Sequence, residues 1–318
     1  MKPVVYTDPL VPAEWIAAHR LRPSRILPAA VEGESSAGVC PYALAVGRRA
    51  RERDAAAVIF TTACDQMRRI PELAADSNVC PWFVMNVPST WQTAVARDLY
   101  LEELERLGRF LVRLGGKAPS ADDLWRTMDR FDGRRSKLRE ARAKMSPREY
   151  SEALCRFRRN GKLELGSTNR REGGTRVALL GGPLMAGDFE VFEVIERAGG
   201  NVVLDATATG ERTLPAPFDR REDDPCAALM KAYLETIPDA FRRPNGRLYD
   251  WLNERFFKRE VEGLIVRNYT WCDTWHAEVG RLKEWTDVPV LHLSADGADG
   301  LGHHEISRIE AFLEIFDD

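Results

Sequence analysis

Short apolar runs alternate with longer amphipathic stretches along most of the chain. Seven of these runs are rich in Val, Ile and Leu, and they span 4–6, 56–60, 82–87, 176–182, 201–206, 263–268 and 288–294. Nearly continuous apolar strands separated by helices are typical of parallel strands that are buried on both faces. The pattern therefore predicts an α/β protein built on doubly wound parallel sheets.

The middle of the chain lacks this strand pattern and predicts helices instead. The stretch 90–116 has apolar residues at helical spacing and ends in two glycines, which is typical of a helix end. The stretches 120–131 and 146–159 each begin with a serine in an N-cap position. We expect these helices to connect two strand-containing regions.

The length of the chain and a polar loop indicate two domains. A single compact core seldom serves 318 residues. The stretch 160–174 is polar and glycine-rich, as a boundary loop would be. We expect an N-terminal α/β domain with the helical connector over residues 1–160 and a C-terminal α/β domain over residues 161–318.

Composition and charge argue against several classes of protein. The formal net charge of −3 argues against general nucleic-acid binding. No apolar run approaches the roughly 20 residues of a membrane-spanning helix. The first apolar stretch ends too early for a signal peptide, so we expect a cytoplasmic protein. Its six cysteines should then be reduced rather than paired in disulfides.

Three of the cysteines are predicted to lie at helix starts. Cys64 in VIFTTACDQMRR and Cys272 in GLIVRNYTWCDTWHAE follow predicted strands, and Cys40 precedes Pro41 at the start of another helix. Functional groups gather at the carboxyl ends of parallel strands, and the N–H groups of a helix start favour a thiolate. The positions suit a shared metal site, either an iron–sulfur cluster or zinc. Separate structural thiols are the alternative.

The other three cysteines have positions that favour buried thiols. Cys80 precedes a predicted strand and so lies at the opposite edge of the sheet, Cys155 lies within a helix, and Cys226 opens one. The chain contains no Cys-x-x-Cys pair, which leaves zinc ribbons and ferredoxin-type cluster runs unsupported.

Two stretches have some features of phosphate sites. Arg and Glu alternate in 134–144, a pattern that favours a solvated helix face. The glycines of 179–188 follow a predicted strand and precede a helix, but they lack the GxGxxG spacing, which favours a tight turn.

The three cysteine segments resemble those of the benzoyl-CoA reductase / 2-hydroxyacyl-CoA dehydratase family, in particular its cluster-carrying subunits of the 2-hydroxyglutaryl-CoA dehydratase D-component type. The segments are SSAGVCPYALAVG, VIFTTACDQMRRI and GLIVRNYTWCDTWHAE, and the helices DDPCAALMKAYLETIPDA and SRIEAFLEIF add to the similarity. The resemblance runs in order over nearly the whole chain. It implies two flavodoxin-like or Rossmann-like domains with a cluster between them.

Cys40, Cys64 and Cys272 lie at the positions of the family's cluster cysteines. The resemblance therefore implies that they bind one 4Fe-4S cluster, with one iron left without a cysteine ligand. It implies a dehydratase that eliminates water from a 2-hydroxyacyl-CoA through a ketyl radical after one-electron activation. The implied partners are a homologous second subunit, an ATP-hydrolysing iron–sulfur activator and an acyl-CoA substrate. Because the chain has no P-loop, it is not itself the activator.

Two alternatives stay open within this resemblance. One is a subunit of an ATP-dependent benzoyl-CoA reductase, since both reactions use low-potential electron transfer to a thioester. The other is an electron-transfer subunit or a double-cluster reductase. The short chain and the unusual segment GLGHHEIS before the last helix keep this second alternative open.

Three polar residues near the cysteines are candidates for catalysis. Ser36 precedes Cys40 and can donate a hydrogen bond to substrate or to a cluster sulfide, with a solvated loop serine as the alternative. His276 lies about one helical turn after Cys272 and can transfer a proton, although a structural histidine is more common. Glu278 corresponds to a glutamate of the family's third cysteine segment, and a role in bracing the loop is favoured over one as a base.

Overall fold

Two four-stranded parallel sheets with flanking helices form the framework of the protein. The computed structural model describes residues 2–30, 38–52, 54–74, 80–166, 173–297 and 300–316. The predicted α/β class with two parallel sheets is confirmed. None of the helices in these described ranges is long and apolar enough to cross a membrane.

The first sheet lies in the N-terminal part of the chain. Its strands are β1 (Val4–Tyr6), β2 (Pro23–Arg25), β3 (Ala57–Thr61) and β4 (Trp82–Met85), in the spatial order β2-β1-β3-β4. All neighbouring pairs are parallel. The helices of this region are α1 (Ala13–Ala18), α2 (Pro41–Ala50) and α3 (Asp65–Ala74).

One strand of this sheet was not predicted. The three residues of β2, PSR, contain no apolar run, so the sequence pattern gives no indication of a strand there. The strand forms the edge of the sheet, where a proline is tolerated because its missing N–H need not pair.

Three long helices follow the first sheet, as predicted. They are α4 (Ala94–Arg113), α5 (Ala121–Ala141) and α6 (Pro147–Asn160). The side chain of Ser120 accepts a hydrogen bond from the backbone N–H of Asp123, and Ser146 forms a capping box with Glu149. Both serines are therefore N-caps, which confirms the prediction from the sequence.

The second sheet has the same layout as the first. Its strands are β5 (Thr175–Gly181), β6 (Gly200–Thr207), β7 (Gly263–Tyr269) and β8 (Val290–Ala295), in the order β6-β5-β7-β8. All pairs are again parallel. Its helices are α7 (Glu190–Arg197), α8 (Pro225–Met230), α9 (Gly246–Arg259), α10 (Asp273–Trp285) and α11 (His303–Glu314).

The strand order of both sheets creates a crevice at an equivalent position. In each sheet the chain moves outward to one side first and then crosses to the other side, so the order reverses next to the first strand. This flavodoxin-like order places a switch point between β1 and β3 and another between β5 and β7. Ligands of such sheets bind beyond the carboxyl ends of the strands at that point.

The helical connector packs with elements from both halves of the chain. Phe218, Leu229, Tyr233 and Ile237, from the second half, are buried in the same apolar core as β1 and helices α4–α6. The domain boundary at 160 stays a prediction, and this shared core joins the two sides of it.

The basic stretch 134–144 is only in part a solvated helix face. Arg135 and Leu138 are buried, and Arg135 forms an ion pair with the buried Glu14 of α1. Tyr233 also donates a hydrogen bond to Glu14, at 2.6 Å. The prediction of a solvated face is therefore wrong for Arg135, because the helical period turns this arginine towards a carboxylate that lies far away in sequence.

Candidate functional site

The crevices of the two sheets open onto one shared cavity of about 100 Å³. The residues that follow the central strands β1, β3, β5 and β7 line it, namely Thr7, Asp8, Ala63, Cys64, Gly182, Pro183, Cys272 and Thr274. Parallel strands place such residues together because their carboxyl ends share one edge of the sheet. The cavity thus brings together the switch points of both sheets.

Cys40, Cys64 and Cys272 all line this cavity. Each lies directly before a helix, at the starts of α2, α3 and α10 respectively. The backbone N–H groups of the first helical turns point towards the sulfurs, from Tyr42 and Ala43 to Cys40, from Gln66 and Met67 to Cys64, and from Trp275 to Cys272. The three thiols thus occupy N-cap positions from both sheets around one space.

Burial dominates the ionisation of these thiols. It raises the pKa of Cys40 to about 11 and that of Cys272 to about 12, and it also raises the pKa of Cys64. The backbone N–H groups act in the opposite direction, as the sequence led us to expect, but their effect on the pKa is smaller. A metal or cluster that binds here must therefore displace protons from the thiols.

The spacing of the three thiols does not by itself form a metal-ion site. Among the described residues, no three His, Cys, Asp or Glu side chains form a group tight enough to hold a single metal ion. Cys40, Cys64 and Cys272 therefore line one cavity but do not form a metal-ion site in this structure.

The remaining cysteines lie elsewhere in the fold. Cys80 is buried just before β4, and its Sγ points to the carbonyl oxygens of Ala55 and Pro81, each at 3.7 Å. Cys155 lies in α6 and Cys226 in α8. None of the three lines the cavity.

Two of the candidate catalytic residues receive no support from the geometry. Ser36 lies outside the described residues. His276 is exposed on α10 and packs edge-on against His292, with ring centroids 5.4 Å apart, and it does not line the cavity. Their catalytic roles stay predictions.

Glu278 occupies a structural position in α10. It is buried and accepts hydrogen bonds from Asn245 Nδ2 at 2.8 Å and from Tyr249 Oη at 2.6 Å. Both partners belong to the start of α9, so the carboxylate braces α10 against α9. This position fits the bracing role considered from the sequence.

Asp8 is a cavity residue that the sequence analysis missed. It follows β1, and its Oδ1 accepts the backbone N–H of Leu10 at 2.8 Å. Among the described residues it has no ion pair, whereas the other cavity carboxylate, Asp239, pairs with Arg212 at 2.7 Å. Burial raises the pKa of Asp8. A single Asp after a short strand has no characteristic spacing, and its position at a carboxyl strand end is the only indication of a role.

The turn after β5 is a tight strand-to-helix connection, as the sequence favoured. Asp188 Oδ2 accepts the backbone N–H of Met185 at 2.7 Å, and Asp188 also pairs with the buried Arg267 at 2.7 Å. Gly181 has a φ of 146°, and a Cβ at this position would lie 1.8 Å from the carbonyl oxygen of Arg267. A glycine is required there because β5 and β7 approach each other closely.

A family model described as 2-hydroxyglutaryl-CoA dehydratase, D-component, matches residues 10–316. The match includes all three cysteines of the cavity and nearly all of the chain. A comparison with curated protein sequences gives no match.

Proposed function

Since the chain belongs to the 2-hydroxyglutaryl-CoA dehydratase D-component family, we propose that it is the iron–sulfur subunit of a 2-hydroxyacyl-CoA dehydratase. In this proposal Cys40, Cys64 and Cys272 bind one 4Fe-4S cluster. The observation that carries the proposal is that three N-cap cysteines from two sheets line a single cavity at both switch points. A component of this family implies a partner subunit.

The cavity has the donor set and surroundings that such a cluster needs. Cysteine thiolates are the usual ligands of 4Fe-4S clusters, and N–H groups directed at the sulfurs tune the reduction potential. In a 4Fe-4S cluster with iron–sulfur bonds of ~2.3 Å the thiolate sulfurs would lie roughly 6–7 Å apart, so the proposal requires the three thiols that line the cavity to adopt this spacing around the cluster. Leu10, Met67 and Trp275 are buried in the wall and keep water away.

The proposed chemistry needs one electron, which is returned at the end, and a side chain that gives and takes a proton. A cluster held by Cys40, Cys64 and Cys272 would supply one low-potential electron to the acyl thioester, as a substrate ketyl radical that makes the β-proton acidic, and would recover that electron when the enoyl-CoA forms. The protonated carboxyl of Asp8 gives its proton to the departing hydroxyl group, which leaves as water. The Asp8 carboxylate then takes the β-proton, so that the net change is the loss of one water and Asp8 returns to its first state.

The environment of Asp8 supports this role. Its pKa is raised by burial, which holds the proton on the carboxyl closer to neutral pH than in water. Since no cation pairs with it among the described residues, the carboxyl is free to change its charge during the reaction. The apolar walls around it exclude the water that would otherwise exchange its proton.

Anaerobic co-purification followed by an activity assay tests this function. The chain, the homologous polypeptide that co-purifies with it and an ATP-hydrolysing iron–sulfur activator are expected to convert a 2-hydroxyacyl-CoA into an enoyl-CoA. Reduction of an aromatic acyl-CoA without any dehydration would instead identify a ring reductase. Purification of the chain as an active reductase without a second polypeptide would contradict the heteromeric dehydratase.

A further inference from the structure

Arginines dominate the wall of a second cavity, which has a volume of about 360 Å³. It lies between the edge strand β2 and helices α1, α5 and α6. Seven arginines line it, namely Arg20, Arg22, Arg25, Arg130, Arg134, Arg135 and Arg158. No Asp or Glu is among the described residues of its lining.

Most of these arginines lack a negative partner within the described part of the chain. Arg135 is the exception, because it pairs with Glu14 and Asp132. Arg25 is only 5% exposed and donates to the carbonyl oxygen of Ala208 at 2.7 Å. Arg158 donates to the carbonyl oxygen of Gly210 at 2.9 Å. These neutral oxygens satisfy some N–H groups but leave the positive charges uncompensated.

Uncompensated charge in a partly buried wall is costly unless an anion is present. Burial, and to a smaller extent the charge of Arg25, lowers the pKa of Arg158 to about 10. A phosphate group offers several acceptor oxygens and matches the fork of N–H donors on an arginine. An anion of this kind would stabilise the arginines of the wall.

The cavity also has apolar surface and lies next to the cysteines. Phe131, Phe157 and Leu21 line it, so it offers contacts to an uncharged part of a ligand as well as to its anionic part. Pro9 and Arg25 line both this cavity and the cysteine cavity. A ligand anchored among the arginines therefore lies beside the proposed reaction site.

We propose that the arginine-lined cavity binds the phosphate groups of an organic diphosphate. Resting on the proposed function, we assign this ligand as the nucleotide end of the acyl-CoA, whose thioester reaches the cysteine cavity past Arg25. The arginines then hold the substrate at a distance from the chemistry, and their binding energy positions the reacting end.

Titration calorimetry on the anaerobically purified protein tests the assignment with three probes: CoA, ADP and inorganic pyrophosphate. The double variant Arg22→Gln/Arg130→Gln changes two exposed arginines of the lining and should fold normally. We expect its Kd for CoA to rise about tenfold or more, and the Arg22→Lys/Arg130→Lys variant to lose less affinity because it keeps both charges. Arg308→Gln, an exposed arginine of α11 outside both cavities, is the matched control and should bind CoA as the unchanged protein does.

The outcomes separate the possible sources of the phosphate. Tighter binding of CoA than of ADP and pyrophosphate, lost in the glutamine variant, supports the assignment. Equal binding of ADP and CoA overturns the acyl-CoA assignment in favour of a general diphosphate site. Absence of CoA binding, or binding that the glutamine variant leaves unchanged, overturns the whole proposal. The titration needs neither activator nor turnover, so its failure is distinguishable from a failure of the dehydratase function.

Discussion

Tyr42 and Tyr269 stack on each other between the two sheets, with ring centroids 6.1 Å apart and ring planes inclined by 22°. Tyr42 lies in α2 just after Cys40, and Tyr269 ends β7 just before Cys272. Tyr269 Oη also donates to the buried Asp188. The stack therefore ties a thiol-bearing segment of one sheet to a thiol-bearing segment of the other.

We expect Tyr269→Phe to weaken this connection although the ring stays in place. The change leaves the buried Asp188 without one of its donors, and such a loss costs about 1–3 kcal/mol in the free energy of unfolding. Tyr42→Phe is the matched control, since the Tyr42 hydroxyl has no hydrogen bond to a described residue, and it should change stability by less than about 0.5 kcal/mol. Urea unfolding measures both, and a loss in Tyr269→Phe no larger than that in Tyr42→Phe would contradict a stabilising bond between Tyr269 and Asp188.

Asp8→Asn should impair the reaction and leave the iron centre intact. An amide cannot accept the β-proton, and the loss of a positioned acid–base group typically slows turnover by about 100-fold or more. Iron content should be unchanged because Asp8 is not among the proposed ligands. Asp65→Asn provides the control, since Asp65 is exposed beside Cys64 and pairs with Arg68 outside the cavity. Full turnover in the Asp8 variant would remove this residue from the mechanism.

His19 should make the stability of the protein depend on pH. The side chain is buried, its Nδ1–H donates to the carbonyl oxygen of Trp15 at 2.7 Å, and burial lowers its pKa below 6.5. The unfolded chain therefore takes up a proton that the folded protein resists. The stability that the neutral ring contributes is present above pH ~6.5 and is lost as the pH falls through the folded-state pKa.

Unfolding by urea at about pH 7 and about pH 5 tests this dependence. The drop in unfolding free energy between the two pH values should be smaller in His19→Gln than in the unchanged protein. His304→Gln, which alters an exposed histidine of α11, should show the same drop as the unchanged protein. A drop of the same size in the His19 variant would mean that other groups cause the acid sensitivity.

The sequence predicted most of the fold because burial on both faces leaves a clear pattern. The runs VVY and GLIV are apolar on both faces, and both form strands. The edge strand PSR was missed because an edge position does not require apolar residues. The N-caps Ser120 and Ser146 were predictable because capping is a local interaction between residues three apart.

The site was predictable only where its residues have local signatures. Cys64 and Cys272 each follow an apolar run and precede a helix, and that local context predicted their positions. Asp8 has no such context. The arginine-lined cavity combines α1, β2, α5 and α6, and only the folded chain brings these segments together. The same holds for Arg135, whose partner Glu14 is distant in sequence.

The content of iron and acid-labile sulfide in anaerobically purified protein tests the central claim most directly. The account predicts that Cys40→Ala, Cys64→Ala and Cys272→Ala each lose most of the iron and sulfide. Cys80→Ala should keep both and cost only about 1 kcal/mol of stability, because this thiol lies at the amino end of β4, away from the cavity. Full iron and sulfide in any of the first three variants, or their loss in Cys80→Ala alone, would contradict the assignment of the cluster to this cavity.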